Sequence, residues 1–515
     1  MSVSDEILPN GWVKGALADF VQPRGEKMLP SDMPEATFLG MDHVEAHSTR
    51  IIGGVPASKM KSSAARFYNG DVLYGRLRPY LNKVTTPAFD GLASAEFIVF
   101  PDTELVLSQF LKWRLNASDF VSFASHLNEG DRPRVDFDQI GTFPVRLPPP
   151  HEQIRIVAKI EELFSELDKG VESLTTARQQ LKAYRQSVLK HAFEGKLTAD
   201  WRKKSSDALE GGATLYEYIM KERERQYESV LADWREAARV SEQSHLPKPR
   251  KPSKPTAPDK PSPQQKSLMR SLPPSWTWIQ LGEFAFVTKL AGFEYTKFVK
   301  YDDAGDLEVI KAENAGSNGF RETEFSKIQS NTVASLERSH LSGGELLMVF
   351  VGAGTGNVAA VPKGRSFFLG PNIGMMRITS DHVNPLYVEN FLRSPHGREL
   401  ALSSVKAVAQ PSLSMGTIRQ IPVALPSVAE QVEIVRILQS QLEAADVMQA
   451  EIEEGLARAE ALRHSILKRA FSGKLVAQDP SDEPASVLLE RIRAEQNENG
   501  TTKRRTNTIN KKEAA

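Results

Sequence analysis

The chain repeats itself. Leu147-Pro148-Pro149-Pro150-His151-Glu152-Gln153-Ile154-Arg155-Ile156-Val157 returns 278 positions later as Leu425-Pro426-Ser427-Val428-Ala429-Glu430-Gln431-Val432-Glu433-Ile434-Val435. The same shift of 278 carries Ala192-Phe193-Glu194-Gly195-Lys196-Leu197 onto Ala470-Phe471-Ser472-Gly473-Lys474-Leu475, with no gap between. Upstream it carries Pro133, Ile140, Pro144 and Val145 onto Pro411, Ile418, Pro422 and Val423. The two starts match at a shift of 264: Leu8-Pro9-Asn10-Gly11-Trp12 on Leu272-Pro273-Pro274-Ser275-Trp276. Between these anchors the halves diverge. A chain so written folds as two variable domains, each followed by a near-constant helical segment.

The helical segments carry a heptad seam. Ile160, Phe164, Leu167, Val171, Leu174, Leu181 and Val188 step by threes and fours, with Arg178 and Arg185 as polar breaks. Their counterparts are Leu438, Leu442, Ala445, Ile452, Leu456, Ala459 and Ile466, broken by Gln449 and Arg463. A helix over 151–191 runs roughly 60 Å and needs a partner for its stripe. The other copy supplies one, which predicts an intramolecular antiparallel coiled coil with polar seam residues fixing its orientation. Prolines stand just before each helix and Gly195 and Gly473 just after, as start and stop signals do.

The expected fold class is α+β: two mixed α/β domains joined by two long helices, with a pseudo-twofold internal repeat. The expected segments are a first domain at 1–146, a first helical region at 147–198 and a charged helical extension at 199–246. A proline-rich linker at 247–271, a second domain at 272–424 and a second helical region at 425–476 follow. The remainder, 477–515, reads as a short helix and a disordered tail. The extension around Leu215, Ile219, Tyr227, Leu231 and Trp234 reads as a helix packed on its own domain or offered to a partner, with a shorter echo at Val487–Ile492. Asp71–Tyr74, Phe97–Phe100, Leu346–Val351, Val358–Val361 and Gly374–Ile378 read as strands, Leu105–Leu115 and Pro385–Arg393 as helices.

Composition narrows the function classes. The 515 residues contain no Cys, which excludes disulfides, cysteine zinc sites and cysteine nucleophiles and suits a reducing compartment. No apolar run is long enough for a membrane span, and Met1–Asn10 lacks a signal-peptide pattern, so a cytoplasmic protein is expected. Gly352-Ala353-Gly354-Thr355-Gly356 follows an apolar strand like a nucleotide loop, but strand residues follow it, so it reads as a hairpin turn. His43 and His47 stand four apart without a helical pattern, so no metal site is expected. No nucleophile–base pair stands out, and a chain without catalysis of its own is expected.

The duplicated set resembles the specificity subunit of type I restriction–modification enzymes. The Leu-Pro-x-x-x-Glu-Gln-x-x-Ile-Val start of each helix and the Ala-Phe-x-Gly-Lys-Leu end carry the resemblance, with the Leu-Pro-x-x-Trp domain starts and Gln410-Pro411-Ser412-Leu413. It implies two target recognition domains, each reading half of a bipartite DNA sequence, spaced by the coiled coil. It implies partners: two modification subunits, which bind S-adenosylmethionine and methylate adenine N6, and two restriction subunits, which use ATP and Mg to move and cut DNA. No cofactor is then expected on this chain, and host defence is its setting. The alternatives are a DNA methyltransferase with its own S-adenosylmethionine site, motivated by the glycine loop, and a coiled-coil adaptor without DNA specificity.

Charge gives the adaptor its motive. Lys+Arg and Asp+Glu are both 65; residues 1–150 hold 15 against 18, and 272–426 hold 14 against 14. DNA contacts must therefore come from local basic loops or from partners. The candidates are Arg24, Lys59, Lys61, Arg66, Arg76, Arg78 and Arg132 in the first domain. In the second they are Lys289, Lys297, Lys311, Asn314, Arg321, Lys363, Arg365 and Gln410, since Arg reads guanine and Asn or Gln reads adenine.

Overall fold

The computed structural model describes residues 8–494 apart from 129, 206–209, 245–246, 248 and 404–411. The chain divides into two units, 1–176 with 452–515, and 177–451. Each unit therefore holds one variable domain, the start of the helix that follows it, and the end of the other long helix.

Both long helices have 44 residues, Pro150–Phe193 and Val428–Phe471. In the first unit Asp168 pairs with Arg463, while Ile160 and Phe164 share a core with Leu467 and Ala470. In the second, Arg185 bonds Asp446 at 2.7 Å and Gln449 at 3.2 Å, while Val188 and Leu189 share a core with Val435 and Leu438. As numbers rise along one helix they fall along the other, so the pairing is antiparallel, the expected coiled coil. The seam is buried at Ile160, Phe164, Leu181, Val188, Leu438, Ala445, Ile452 and Ala459 and half-buried at Leu167, Val171, Leu174, Leu442, Leu456 and Ile466. Gln449 accepts a cross-helix bond, whereas Arg178 lies exposed, with no hydrogen bond or ion pair across the seam among the described residues.

Each domain closes on itself. Strand Val13–Ala16 pairs antiparallel with Pro144–Leu147, and Thr277–Gln280 pairs in the same way with Pro422–Leu425. The chain enters and leaves each domain on adjacent strands, and the long helix follows directly. Inside, the two domains share central strand pairings that their sequences conceal. In the first, a five-stranded sheet holds Thr37–Leu39 parallel to Gly91–Ala93, and a three-stranded sheet places Val72–Gly75 between Val84–Thr85 and Phe97–Phe100. In the second, Leu307–Ile310 runs parallel to Phe367–Leu369, and Leu346–Val349 lies between Val358–Ala360 and Ile373–Ile378. A pair of short helices follows in each: Ser108–Asn116 with Ser118–Ser125, and Pro385–Arg393 with Pro395–Leu402.

The repeated Trp, Glu and Gln lock the domains to the helices. Trp12 donates its indole N–H to Glu152 at 2.9 Å, and Trp276 donates to Glu430 at 3.0 Å. Gln153 caps the chain ahead of the first domain helix through Leu105 and Leu107, and Gln431 does so through His382 and Asn384. One latch is better satisfied than the other. The second carboxylate oxygen of Glu430 accepts from Thr198 at 2.7 Å and from Arg202 at 2.9 and 2.6 Å. A shift of 278 puts Val476 and Pro480 at those two places, and the second oxygen of Glu152 has no partner among the described residues. Burial accordingly pushes the Glu152 carboxyl above its usual range.

The helix-ending glycines have a reason too. Gly195 and Gly473 both sit at φ +70, and an added Cβ would lie 2.5 Å from Pro273 and 2.4 Å from Pro9. Only glycine fits a left-handed C-terminus against the proline of a domain start.

The charged extension is a helix, Gly212–Gln243, packed on the second domain, the one that follows it: Leu215 and Ile219 join the core beside Trp276, and Glu222 accepts from Ser380 and Asp381. Its echo, the helix at 485–494, places Leu488 and Leu489 beside Trp12. The proline-rich linker is not free in solvent. It folds back along the Gly212–Gln243 helix, where Trp234 donates to the Pro249 carbonyl, Arg223 to that of Thr256, and Lys254 pairs with Glu224.

Candidate nucleic-acid interface

In each domain the loop after the central strand meets the segment that leads to the closing strand. In the first unit the loop is Arg76–Asn82. Leu77 forms a β-bridge with Arg134, the Arg78 amide donates to Pro133 at 2.7 Å, and the Arg76 side chain donates to the Val135 carbonyl at 2.9 Å. Arg76, Arg78, Arg132 and Arg134 thus converge on one edge. Arg134 was not among the candidates; only its place beside Pro133, on the repeat register, hinted at it. Glu96 lies 3.4 Å from Arg134. Burial, and next the Arg134 charge, hold the Arg76 guanidinium below its ordinary value.

Arg78 carries backbone strain. It sits at φ +52, and Asn82, four residues on, sits at +47. Such angles cost a non-glycine residue about 1 kcal/mol and persist where surrounding bonds dictate them. Here Pro79 starts a short 3-10 turn between them, Pro79–Leu81, and Tyr80 at its crest is exposed. Among the described residues the buried Nε of Arg78 has no partner.

The second unit builds the same edge from different residues. Val351 bridges Ser412, and the Leu413 amide donates to Phe350 at 2.8 Å. The loop between is the glycine stretch, and it is a hairpin turn. Gly352 and Gly356 stand at φ +103 and +84, and strands 346–349 and 358–360 flank it. Arg398 ties it down through Thr355 and Asn357. Lys289 lies over the Phe350 ring at 4.8 Å beside it. No helix follows the loop to hold a phosphate, so the motive for a nucleotide site is gone.

The other candidates divide by their partners. Arg24 is held in a two-bond pair with Asp71 that raises its pKa, and Arg66 stacks on Tyr68 beside Met33. Lys311 donates to Ser326 at 2.6 Å, and Arg365 clasps Glu308 and Glu322. Asn314 is 1% exposed, its amide spent on Arg321 and Thr323, so it reads no base from there. Lys59, Lys61, Arg132, Lys297, Arg321 and Lys363 are exposed, with no ion pair among the described residues. Lys59 and Lys61 follow the edge strand Val55–Pro56, and Lys363 occupies the turn between 358–360 and 367–369. Gln410 lies outside the described residues.

The described residues contain no group of three His, Asp or Glu able to hold a metal, and no helix among them is long and apolar enough to cross a membrane.

The family model for the type I restriction modification DNA specificity domain matches residues 273–456. The type I restriction enzyme EcoDI specificity subunit of Escherichia coli is 30% identical over 223 residues, 42% of this chain and 50% of that one. The EcoKI specificity subunit of Escherichia coli strain K12 is 25% identical over 432 residues, 81% of this chain and 76% of that one. The chain thus spans about half of the first relative and about three quarters of the second. A chain solved in work on complex assembly and conformational transition of the type I R-M system shares the fold, with a TM-score of 0.64 at 18% identity, over 91% of this chain and all of that one. Over these stretches the chain is similar to the specificity subunits of type I restriction–modification systems.

Proposed function

We propose that this chain is the sequence-reading subunit of a type I restriction–modification complex. Each variable domain reads one half of a split DNA sequence, and the paired helices set the spacer. One observation carries this reading. Two domains with the same core strand pairings and unlike sequence are latched to the long helices through the same Trp–Glu bond, and each offers the same loop edge with different chemistry. A frame held constant while the edges diverge is what an asymmetric, two-part target requires. The arginine edge of the first domain suits phosphates and guanines, which Arg engages through paired donors. The glycine hairpin lets backbone approach a duplex closely.

The chain is non-catalytic in this reading and works in the cytoplasm. Two modification subunits bring S-adenosylmethionine and methylate adenine N6, and two restriction subunits bring ATP and Mg. Near-neutral domains fit such a division, because partners then supply much of the phosphate neutralisation. The test is to express the chain with its modification subunits in a methylation-free host and map every methylated adenine in the genome. Methylation confined to one split motif supports the reading. Methylation without a split motif, or stoichiometric S-adenosylmethionine binding by the isolated chain in equilibrium dialysis, overturns it.

A further inference from the structure

The duplicated helices carry one ion pair twice. Arg185 pairs with Asp446 in the second unit, and Arg463, its counterpart at a shift of 278, pairs with Asp168 in the first. What surrounds the pair differs. In the first unit Arg463 lies over the Phe164 ring at 4.9 Å, and Phe164 meets Trp113 edge-on, so aromatic rings fill the place. In the second, Leu442 stands for Phe164, and a cavity of 390 Å³ opens beside the pair.

The cavity is lined by cations. Arg178, Lys182, Arg185 and Arg393 reach it, with Ser317 and Asn318 from the turn between strands Ala315–Gly316 and Gly319–Phe320. At the shift of 278, Arg178 stands for Leu456 and Lys182 for Glu460, so the second copy carries two cations where the first carries an apolar residue and an anion. Neither Arg178 nor Lys182 has an ion pair among the described residues. Arg185 is balanced by Asp446 at 2.7 Å, and Arg393 only by Glu389 at 3.7 Å. Burial holds the Arg393 guanidinium below its ordinary value, and the Arg185 charge adds to this against the pull of Glu389 and Asp446. Gly319, at φ +107, lets the turn lie close on that guanidinium, since an added Cβ would meet its Nη1 at 3.3 Å.

We infer that this cavity binds a phosphate group. A phosphate brings more than one negative charge and several acceptor oxygens to cations that the two carboxylates leave unneutralised, and guanidinium forks engage it through paired donors. Ser317 and Asn318 add neutral donors at the rim. The source that the fold favours is the DNA backbone, a point that rests on the function proposed above. The turn at Ser317–Asn318 belongs to the hairpin whose Ala315 carbonyl accepts from Asn357 at 3.2 Å, and Asn357 directly follows the glycine loop of the candidate interface. A duplex lying on that loop brings its backbone toward the long helices at the cavity.

The test has two arms. In the full chain, inorganic phosphate replaces chloride at constant ionic strength, and the rise in Tm reports its affinity. Arg178→Leu with Lys182→Glu, the residues of the first copy, should weaken phosphate binding on the order of tenfold or more, and so should Arg178→Gln with Lys182→Gln. Lys169→Gln with Arg458→Gln, exposed on the same two helices, should leave it unchanged. An equal phosphate response in the parent chain and all variants, or none in any, would overturn the inference. In the second arm, the chain assembled with its modification subunits binds duplexes that each carry one uncharged methylphosphonate. A position where the neutral linkage costs the parent complex on the order of tenfold and the Arg178 and Lys182 variants nothing identifies the backbone as the source. Loss of the phosphate response in those variants without such a position assigns the cavity to a free phosphate compound. A complex that binds no split DNA sequence would strike the proposed function and leave the first arm to decide the cavity.

Discussion

Replacing Arg202 with Met probes the latch at its most charged point. The Glu430 side chain is fully buried, and the Arg202 side chain is 18% exposed. Arg202 supplies two of the four hydrogen bonds that Glu430 receives from side chains, at 2.9 and 2.6 Å. The other two, from Thr198 and Trp276, survive the change. Removing one partner of a buried ion pair costs about 3–5 kcal/mol, because the remaining charge stays buried. The two surviving donors argue for the lower end, about 3 kcal/mol. For a unit of this size each kcal/mol lowers Tm by roughly 2–4 °C, so Arg202→Met should cost roughly 6–12 °C. Adding Glu430→Gln removes the stranded charge while keeping an acceptor for Trp276, and should recover most of the loss. Scanning calorimetry of the full chain gives the shift. Hydrogen exchange at strand 277–280, which carries Trp276 on its flank, assigns it to the second unit. A loss below about 2 °C in the single variant, or a double variant as unstable as the sum of its parts, would refute the assignment of Arg202 as the counter-charge of the latch.

Glu152 should behave in the opposite way. Its pKa is raised by burial, so its contribution to stability is greatest at low pH, while the carboxyl is protonated in both states. That contribution falls as pH rises from the ordinary carboxylate value through the raised one. Glu152→Gln should flatten the fall and leave neutral-pH stability equal or higher, as urea melts across pH 4–8 on about half-unit steps would record. At the arginine edge, Arg78→Gly should relieve about 1 kcal/mol of left-handed strain yet weaken DNA binding by the assembled complex. Its salt dependence should fall by about one unit of slope, as loss of one phosphate contact predicts; an unchanged slope would exclude that contact. Inserting one in-phase heptad into both long helices adds roughly 10 Å to each, and the methylation map should shift to a spacer about three base pairs longer. Retention of the original spacer would show that the helices do not set it.

The frame was legible in the chain because it is written twice. A register of 278 kept across helix, cap and closing strand leaves few folds to choose among, and the heptad seam fixed the pairing. The domain interiors were harder. Strands such as Lys27–Met28, Val55–Pro56 and Val84–Thr85 have two residues each, too few to show an alternation. The strand pairings that the two domains share are made by backbone, which tolerates Arg76–Asn82 in one and a glycine hairpin in the other. The purpose of the repeated Trp, Glu and Gln was equally hidden, since Trp12 and Glu152 meet across 140 positions. Asn314 and Arg365 have the right chemistry for reading DNA but are committed to neighbours, and composition alone does not separate a committed side chain from a free one.

The pairing of first and last strands has an evolutionary corollary. Because Val13–Ala16 and Pro144–Leu147 lie side by side, everything between them hangs from the frame as a single loop with its ends together. Genetic recombination within the two short flanking stretches could replace the whole insert and leave Trp12, Glu152 and Gln153 untouched. Such a lineage would acquire new targets by trading heads rather than by accumulating point changes, and its frame would drift far more slowly than the parts it carries.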